Sequence, residues 1–313
     1  MIKYVARRLL GMAAVLVIVA VLVFLITRLA PGDPAAVMLG DQATPDDVAK
    51  LRVVYGLDKP ITTQFFLWLG EIAHGNLGQS IFLQRPVTQA LWERAEPTGL
   101  LTLLSLGIAL LIGLPCGIVS AVFRGKWIDQ VFTGVAMLGA SVPSFWFSLI
   151  LMQLFAVRLG WFPVAGYGDP GVGLLERMYH LVLPSTVLGV LNSALIIRFT
   201  RASMLDVLGD DYIRTARATG LSEVRVVLKH ALRNALIPVL TVVGLTAALL
   251  LGGAVVTETV FGLPGIGNLV VSAVLRRDYP VIQGALLVIA AMYVLVNLAI
   301  DLAYLVIDPR VKY

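Results

Sequence analysis

The chain has 313 residues, 58% of them hydrophobic and only 14% charged, with a mean hydropathy of +0.90. Soluble domains carry about 25% charged residues, so this composition excludes a water-soluble globular protein. It predicts an all-α polytopic membrane protein with room for about six spans of about 20 apolar residues each. The net charge of +5 does not mark a nucleic-acid binder, because Lys and Arg cluster beside apolar runs as membrane topology requires. The lone cysteine, Cys116, lies in an apolar run; it excludes an intrachain disulfide and cannot make a metal site by itself.

Lys3, Arg7 and Arg8 precede an uncharged run from Leu9 to Thr27. The run is longer than a secretory h-region and lacks a small-residue cleavage site, so it reads as a retained first span within residues 1–30, with a cytoplasmic N-terminus. The longest polar section follows, residues 31–96, on the outer side. Thr44, Pro45 and Asp47 supply a cap, a first-position proline and an acidic first turn, and Gly56 stops that helix. A second helix, about Ile61 to His74, carries Phe65, Phe66 and Trp68, as an interfacial helix does.

Residues 97–313 form the predicted core domain. Its spans run from Pro97 to Phe123, from Asp129 to Val157, from Leu181 to Ser203, from Pro238 to Glu258 and from Val281 to Ile307. Arg124 and Lys126 mark a short inner turn, Trp161 to His180 an outer loop, and Arg310 and Lys312 a cytoplasmic C-terminus. Ser141, Pro143 and Ser144 interrupt the third span, where proline frees a carbonyl; a simple kink and a role in lining a pathway both fit. Asn192, Gly244, Gly252, Gly253 and Glu258 are further polar or small positions within the spans, read as pathway candidates. Ile266 to Leu275 is too short to span, so it is expected to be interfacial or re-entrant.

Residues 205–237 form a charged hairpin between apolar runs. Tyr212, Ile213 and Ala216 share one helical face, and Gly220 falls where the pattern stops, as expected just past a helix C-terminus. Ser222 is placed to cap a second helix, and Leu221 and Val226 are spaced as a hydrophobic staple. On that helix Arg225, Lys229 and Arg233 recur at every fourth residue, while Val224, Val227, Leu228, Ala231 and Leu232 form the apolar side. By composition alone, such a segment also suits a cationic helix on anionic lipid headgroups.

The order of the residues resembles the cytoplasmic E-A-A loop of permease subunits of ABC importers. Arg214, Thr215 and Ala216 stand where the family at large has E-A-A, and Gly220 has the required spacing; His230, Leu232 and Arg233 replace its I-x-L-P. The form YxRTARAxGL followed by HALRNALIPV looks like the dipeptide, oligopeptide and nickel branch, and most like peptide and glutathione permeases. PGDP at Pro31 to Pro34 and GNLGQS at Gly75 to Ser80 look like landmarks of the same family, with Asn76 where many members have Asp.

The resemblance implies a type I importer permease fold in the bacterial inner membrane. Its implied partners are a second homologous permease, two ABC ATPase subunits that bind ATP and Mg, and a periplasmic or lipid-anchored substrate-binding protein. It also implies that Asp211, Tyr212, Arg214, Thr215, Ala216, Arg217, Ala218, Gly220, Leu221, His230, Arg233 and Asn234 couple to the ATPase, with Arg214 and Arg217 as charge contacts. The substrate stays open among dipeptide, oligopeptide, glutathione and nickel.

No cofactor, nucleotide or metal site is expected in the chain. There is no phosphate-loop pattern, since Gly125-Lys126 is followed by Trp127, and His74, His180 and His230 fall in different loops. No nucleophile stands with a base, so no catalytic site is expected. An ATPase-independent secondary transporter would instead carry ionisable groups well inside its spans; Glu258 sits at a span end and Asp301 in the last span one turn after Asn297, and a structural hydrogen bond is the expected role of each. A scaffold without transport is a third class.

Overall fold

In the computed structural model the described residues are 2–29, 36, 44–54, 56–169 and 171–307. The family landmark Pro31 to Pro34 and the basic C-terminal residues Arg310 and Lys312 lie outside them. The described chain is helical: α1 (Ile2–Leu29), α2 (Pro45–Val54), α3 (Ile61–Ala73), α4 (Val87–Val122), α5 (Trp127–Ser141), α6 (Ser144–Arg158), α7 (Leu174–Leu208), α8 (Asp211–Ala218), α9 (Glu223–Val260), α10 (Ile266–Leu275) and α11 (Tyr279–Ile307). Five of these are long and apolar enough to cross a membrane, and α5 with α6 makes a sixth candidate bent by 103°.

The chain divides into two compact units. The first comprises Met1–Glu96 and Asn268–Val294, the second Pro97–Gly267 and Leu295–Tyr313. In the first unit, Thr44 caps α2 as the sequence suggests: its hydroxyl meets Asp47 at 2.5 Å, and the Asp47 amide donates back to it at 3.3 Å. The aromatic residues of α3 divide. Phe65 and Trp68 pack on Phe24 of α1, with ring centroids 5.3 and 5.4 Å away, and only Phe66 is left largely exposed. Asn76 donates to Glu71 at 2.7 Å and accepts from the Gly78 amide at 3.0 Å; an aspartate could not make the first of these bonds. Asp278, buried ahead of α11, accepts from the Ser80 hydroxyl at 2.5 Å and from the amides of Ile81 and Phe82, closing the loop that enters α4.

The second unit is organised around α7. Over its most apolar window α7 is 61% buried with a mean hydropathy of 1.7, against 22% and 3.0 for α1. A helix that faces protein needs less apolar surface than one that faces lipid. The core joins Leu101, Ala156, Leu181, Val187, Leu188, Leu250 and Ala254 from α4, α6, α7 and α9 with Phe261, the residue just past α9.

Three glycines let α4 and α7 approach closely. A Cβ at Gly117 would lie 2.6 Å from that of Thr200 and 2.9 Å from the Ile197 carbonyl oxygen; at Gly189 it would lie 2.6 Å from that of Ile108, and at Gly113 2.6 Å from that of Ile196. Small residues at such contacts let backbones meet where no hydrophobic force drives helices together.

The break between α5 and α6 has a local cause. Val142 precedes Pro143, and the proline ring forces it out of the helical region, to φ −83° and ψ 126°. The single third span expected from the sequence is therefore two arms at a sharp angle rather than one kinked helix. At the inner end of α5, buried Asp129 takes a two-point bond from Arg201 of α7, at 2.6 and 2.8 Å, with further bonds from Ser120 at 2.5 Å and the Gly125 amide at 2.9 Å. One carboxylate thus ties α4, the inner turn, α5 and α7 together.

Gly117→Ala should therefore cost about 1–3 kcal/mol by forcing α4 from α7, seen as a lower Tm of the purified chain in detergent. Gly99→Ala, on the same helix but facing open space, should leave Tm unchanged. Asp129→Asn removes the charge that holds Arg201 and should cost about 1.5–3 kcal/mol in the same assay, more than Ser120→Ala.

Candidate functional site

The charged segment folds as a hairpin at the inner end of the second unit. Ile213 of α8 is fully buried, in a cluster with Ala121 of α4, Met204 of α7, and Val226, Val227, Ala231 and Ala235 of α9. Ala216 and Leu221 pack against the same cluster, so the predicted staple partners Leu221 and Val226 share one apolar centre. Gly220 has φ +80° with no heavy atom within 4 Å of a Cβ built on it. The turn needs the left-handed backbone, not the space.

Two expectations are corrected. Ser222 makes no side-chain cap; its carbonyl accepts from the amides of Arg225 and Val226 at 2.9 and 3.0 Å. The apolar side of the second helix is split, because Val226–Ala231 winds as a π-helix and so departs from the 3.6-residue period. Val226, Val227 and Ala231 turn inward, while Val224 is 69% and Leu228 53% exposed. The hairpin itself is continuous with only one span. The second helix runs unbroken into the fifth span as α9, but α7 ends at Leu208, and Gly209 and Asp210 separate it from α8.

The expected coupling residues fall into two groups. Tyr212, His230 and Asn234 hold the hairpin together: Asn234 donates to the Tyr212 hydroxyl at 2.8 Å, and that hydroxyl donates to the His230 carbonyl at 3.4 Å. Arg217 also points within the hairpin, pairing with Glu223 across the turn at 2.9 Å, so its charge is engaged there. Thr215 donates to the Asp211 carbonyl at 3.1 Å, and Ala216 packs inward rather than outward. Arg214 and Asp211 meet at 3.3 Å, both strongly exposed, in a pair worth little by itself. Arg214, Ala218, Arg233, Val224, Leu228 and the half-exposed ring of Tyr212 form the outward face. Val224 and Leu228 were expected to face inward; the π turn that exposes them carries no signal in a helical-period reading.

The pathway candidates do not gather into one site. Ser141 and Pro143 are exposed at the α5–α6 break, with Ser144 half-buried; the Ser141 hydroxyl donates to the Met137 carbonyl at 3.0 Å. Asn192 is half-buried and donates to the Leu188 carbonyl one turn back at 2.8 Å. Gly244 is a packing residue, since a Cβ there would lie 2.3 Å from Ile300 Cδ1; Gly253 faces Leu188, and Gly252 faces open space.

Glu258, a pathway candidate in the sequence, is fully buried. Thr98 of α4 donates to its carboxylate at 2.6 Å and accepts from the Ile266 amide at 2.9 Å. A Cβ at Gly265 would lie 2.1 Å from the Glu258 carboxyl carbon, and one at Gly267 2.9 Å from its Oε2. The glycines of the following turn therefore make room for the carboxylate, and Thr98 fastens the start of α10 to α4. This Thr98–Glu258 contact spans 160 residues, and no local pattern marks it.

A family model described as the binding-protein-dependent transport system inner membrane component matches residues 113–313, and its N-terminal counterpart matches residues 1–94. A probable peptide ABC transporter permease protein of Sinorhizobium fredii is 45% identical over 310 residues, 99% of either chain. A glutathione transport system permease protein of Pectobacterium atrosepticum is 46% identical over 313 residues, the whole of each chain. Among solved structures, a chain of the MetNI methionine ABC transporter in an inward-facing conformation superposes with a TM-score of 0.60 at 19% identity, over 70% of this chain and 97% of that one. At that identity the likeness concerns the fold alone. This chain is a multi-pass permease of the bacterial inner membrane and belongs to the family of binding-protein-dependent transport system inner membrane components.

Proposed function

We propose that this permease imports peptides or peptide-like substrates, a dipeptide, an oligopeptide or glutathione, and that it does so as one of two related membrane subunits. The names of its full-length relatives support the substrate class. In this reading a soluble or lipid-anchored receptor delivers the substrate to the outer face. Two separate ATPase subunits bind ATP and Mg, hydrolyse the ATP and dock on the hairpin.

The observation that carries the docking is the outward face of the hairpin, where Val224, Leu228 and the ring of Tyr212 stand exposed beside Arg214 and Arg225. The same hairpin buries Ile213, Val226 and Ala231 completely. An apolar patch with a basic rim suits a protein groove with an acidic edge. The pathway, in this reading, passes the α5–α6 break, where Ser141 and Pro143 are exposed.

Tagging the chain in its native host, purifying it in mild detergent and assaying ATP hydrolysis tests the reading. Recovery with a second permease and an ATPase supports it; recovery alone, with gradient-driven flux in liposomes, overturns it. The double substitution Val224→Asp and Leu228→Asp should lower substrate-stimulated ATPase activity at least about tenfold, equivalent to about 1.4 kcal/mol of lost docking, with unchanged insertion in the membrane. Gly220→Val should cost about 1–2 kcal/mol of backbone strain and reduce the same activity while leaving peptide binding to the receptor intact.

A further inference from the structure

Two strained backbone positions of the first unit fall in one place. Among the described residues, the non-glycine positions with positive φ are Gln84 at +52° and Arg277 at +55°, a left-handed conformation that is costly for a long side chain. Gln84 lies in the loop that enters α4, and Arg277 in the turn between α10 and α11. Asp278 joins the two turns through its bonds to Ser80, Ile81 and Phe82. Strain of this kind persists only where the surroundings over-determine it, and it gathers at functional sites.

The joined turns present a cationic and aromatic surface. The Arg276 guanidinium lies over the ring of Phe82, 3.6 Å from its centroid. Arg276 and Arg277 are both exposed, and neither meets a carboxylate among the described residues. The neighbouring acids are engaged elsewhere: Asp278 is buried and bonded to the loop, and Glu93 pairs with Arg85 at 2.7 Å. Phe82 is 58% exposed, and Leu275, next to Arg276, is 80% exposed.

The height of this surface favours a soluble partner over lipid. Along α4 the charged residues end at Glu96, and an uncharged stretch starts at Pro97. From Glu96 back to Val87 the helix rises about 14 Å, whereas the headgroup layer beyond the hydrocarbon is about 5–8 Å deep. The Ser80 amide donates to the Arg85 carbonyl at 3.0 Å, which keeps the Phe82 loop at that end of α4. Phe82 therefore stands beyond the headgroups. Exposed apolar side chains in water, edged by arginine, mark a surface that binds protein.

We propose that Phe82, Arg276 and Arg277 form a docking contact for a soluble protein with an acidic surface; on the importer reading, on which this rests, that protein is the substrate receptor. The arginines meet its carboxylates, and the Phe82 ring and Leu275 supply the apolar centre. Asp278 and the two strained turns fix the guanidinium groups before the partner arrives, so less side-chain freedom is lost on docking. Opposite charge also speeds the encounter and makes it sensitive to salt.

The test uses the assembled transporter in nanodiscs and the purified peptide receptor of the same host, with ATP hydrolysis read against receptor concentration. Arg276→Glu combined with Arg277→Glu should raise the half-stimulating concentration at least about tenfold, with unstimulated hydrolysis and assembly unchanged. On the unaltered chain that concentration should rise with salt between about 50 and 500 mM. Arg277→Gly, which removes the strain along with the charge, should raise Tm and still weaken docking at least about threefold. An unmoved half-stimulating concentration in the charge-reversed variant overturns the proposal. So does an effect seen only when the nanodiscs contain phosphatidylglycerol, which would make the surface a lipid contact. If the charge-reversed variant does not assemble, the salt dependence and Arg277→Gly decide: a flat salt response, or a lower Tm with docking unmoved, overturns the proposal. An unaltered complex that shows no receptor-stimulated hydrolysis overturns the importer reading and this proposal with it, whereas failure of the docking contact alone leaves that stimulation in place.

Discussion

The closeness of α4 and α7 sets the geometry of the second unit. Inside a bilayer, apolar side chains gain little by leaving lipid for protein, so helices hold together by contact and by polar bonds. Gly113, Gly117 and Gly189 remove the side chains that would keep the two backbones apart. Once α7 lies against α4, it offers its remaining faces to α5, α6 and α9, and the large core side chains Leu101, Leu181, Leu188 and Leu250 fill the space between them. The lower hydropathy of α7 records this central place.

Two carboxylates then fix what the apolar contacts leave free. Asp129 holds the inner end of α5 to α7, and Glu258 is enclosed where α9 gives way to α10. Each is buried, and each accepts bonds from residues far away in the sequence, at separations of 72 and 160 residues respectively. Buried charge in a membrane is costly unless it is bonded, and here the bonding is structural. The break at Val142-Pro143 complements them, because it lets α5 follow Asp129 while α6 turns away to join the core through Ala156.

Much of the fold was legible in the sequence because the bilayer imposes one requirement, a long apolar helix, which hydropathy reads directly. The ends were less legible. Pro97 looks like the first residue of a span, yet α4 begins at Val87 and runs through it, since neighbouring helices can satisfy what a proline frees in such a helix. Likewise α7 begins at Leu174 rather than Leu181, where the apolar run starts. In the hairpin, Gly220 and the buried face of Ile213 followed from spacing, but the π turn that puts Val224 and Leu228 outside breaks the period on which that reading rests. The partners of Asp129 and Glu258 come from other helices, and a single chain read along its length has no means of pairing them.

The uneven attachment of the hairpin has a mechanical consequence. A load applied to its outer face would meet a helix that continues into α9 through the π turn and past Pro238, whereas towards α7 it would have to cross Gly209 and Asp210, where the helix is interrupted. The Arg217–Glu223 pair and the Tyr212–Asn234 bond join the two halves of the hairpin. A load on that face would therefore reach α9 before α7, with the joint at Gly209 and Asp210 taking up the difference. The far end of that path is the enclosed Glu258 and the turn that starts α10.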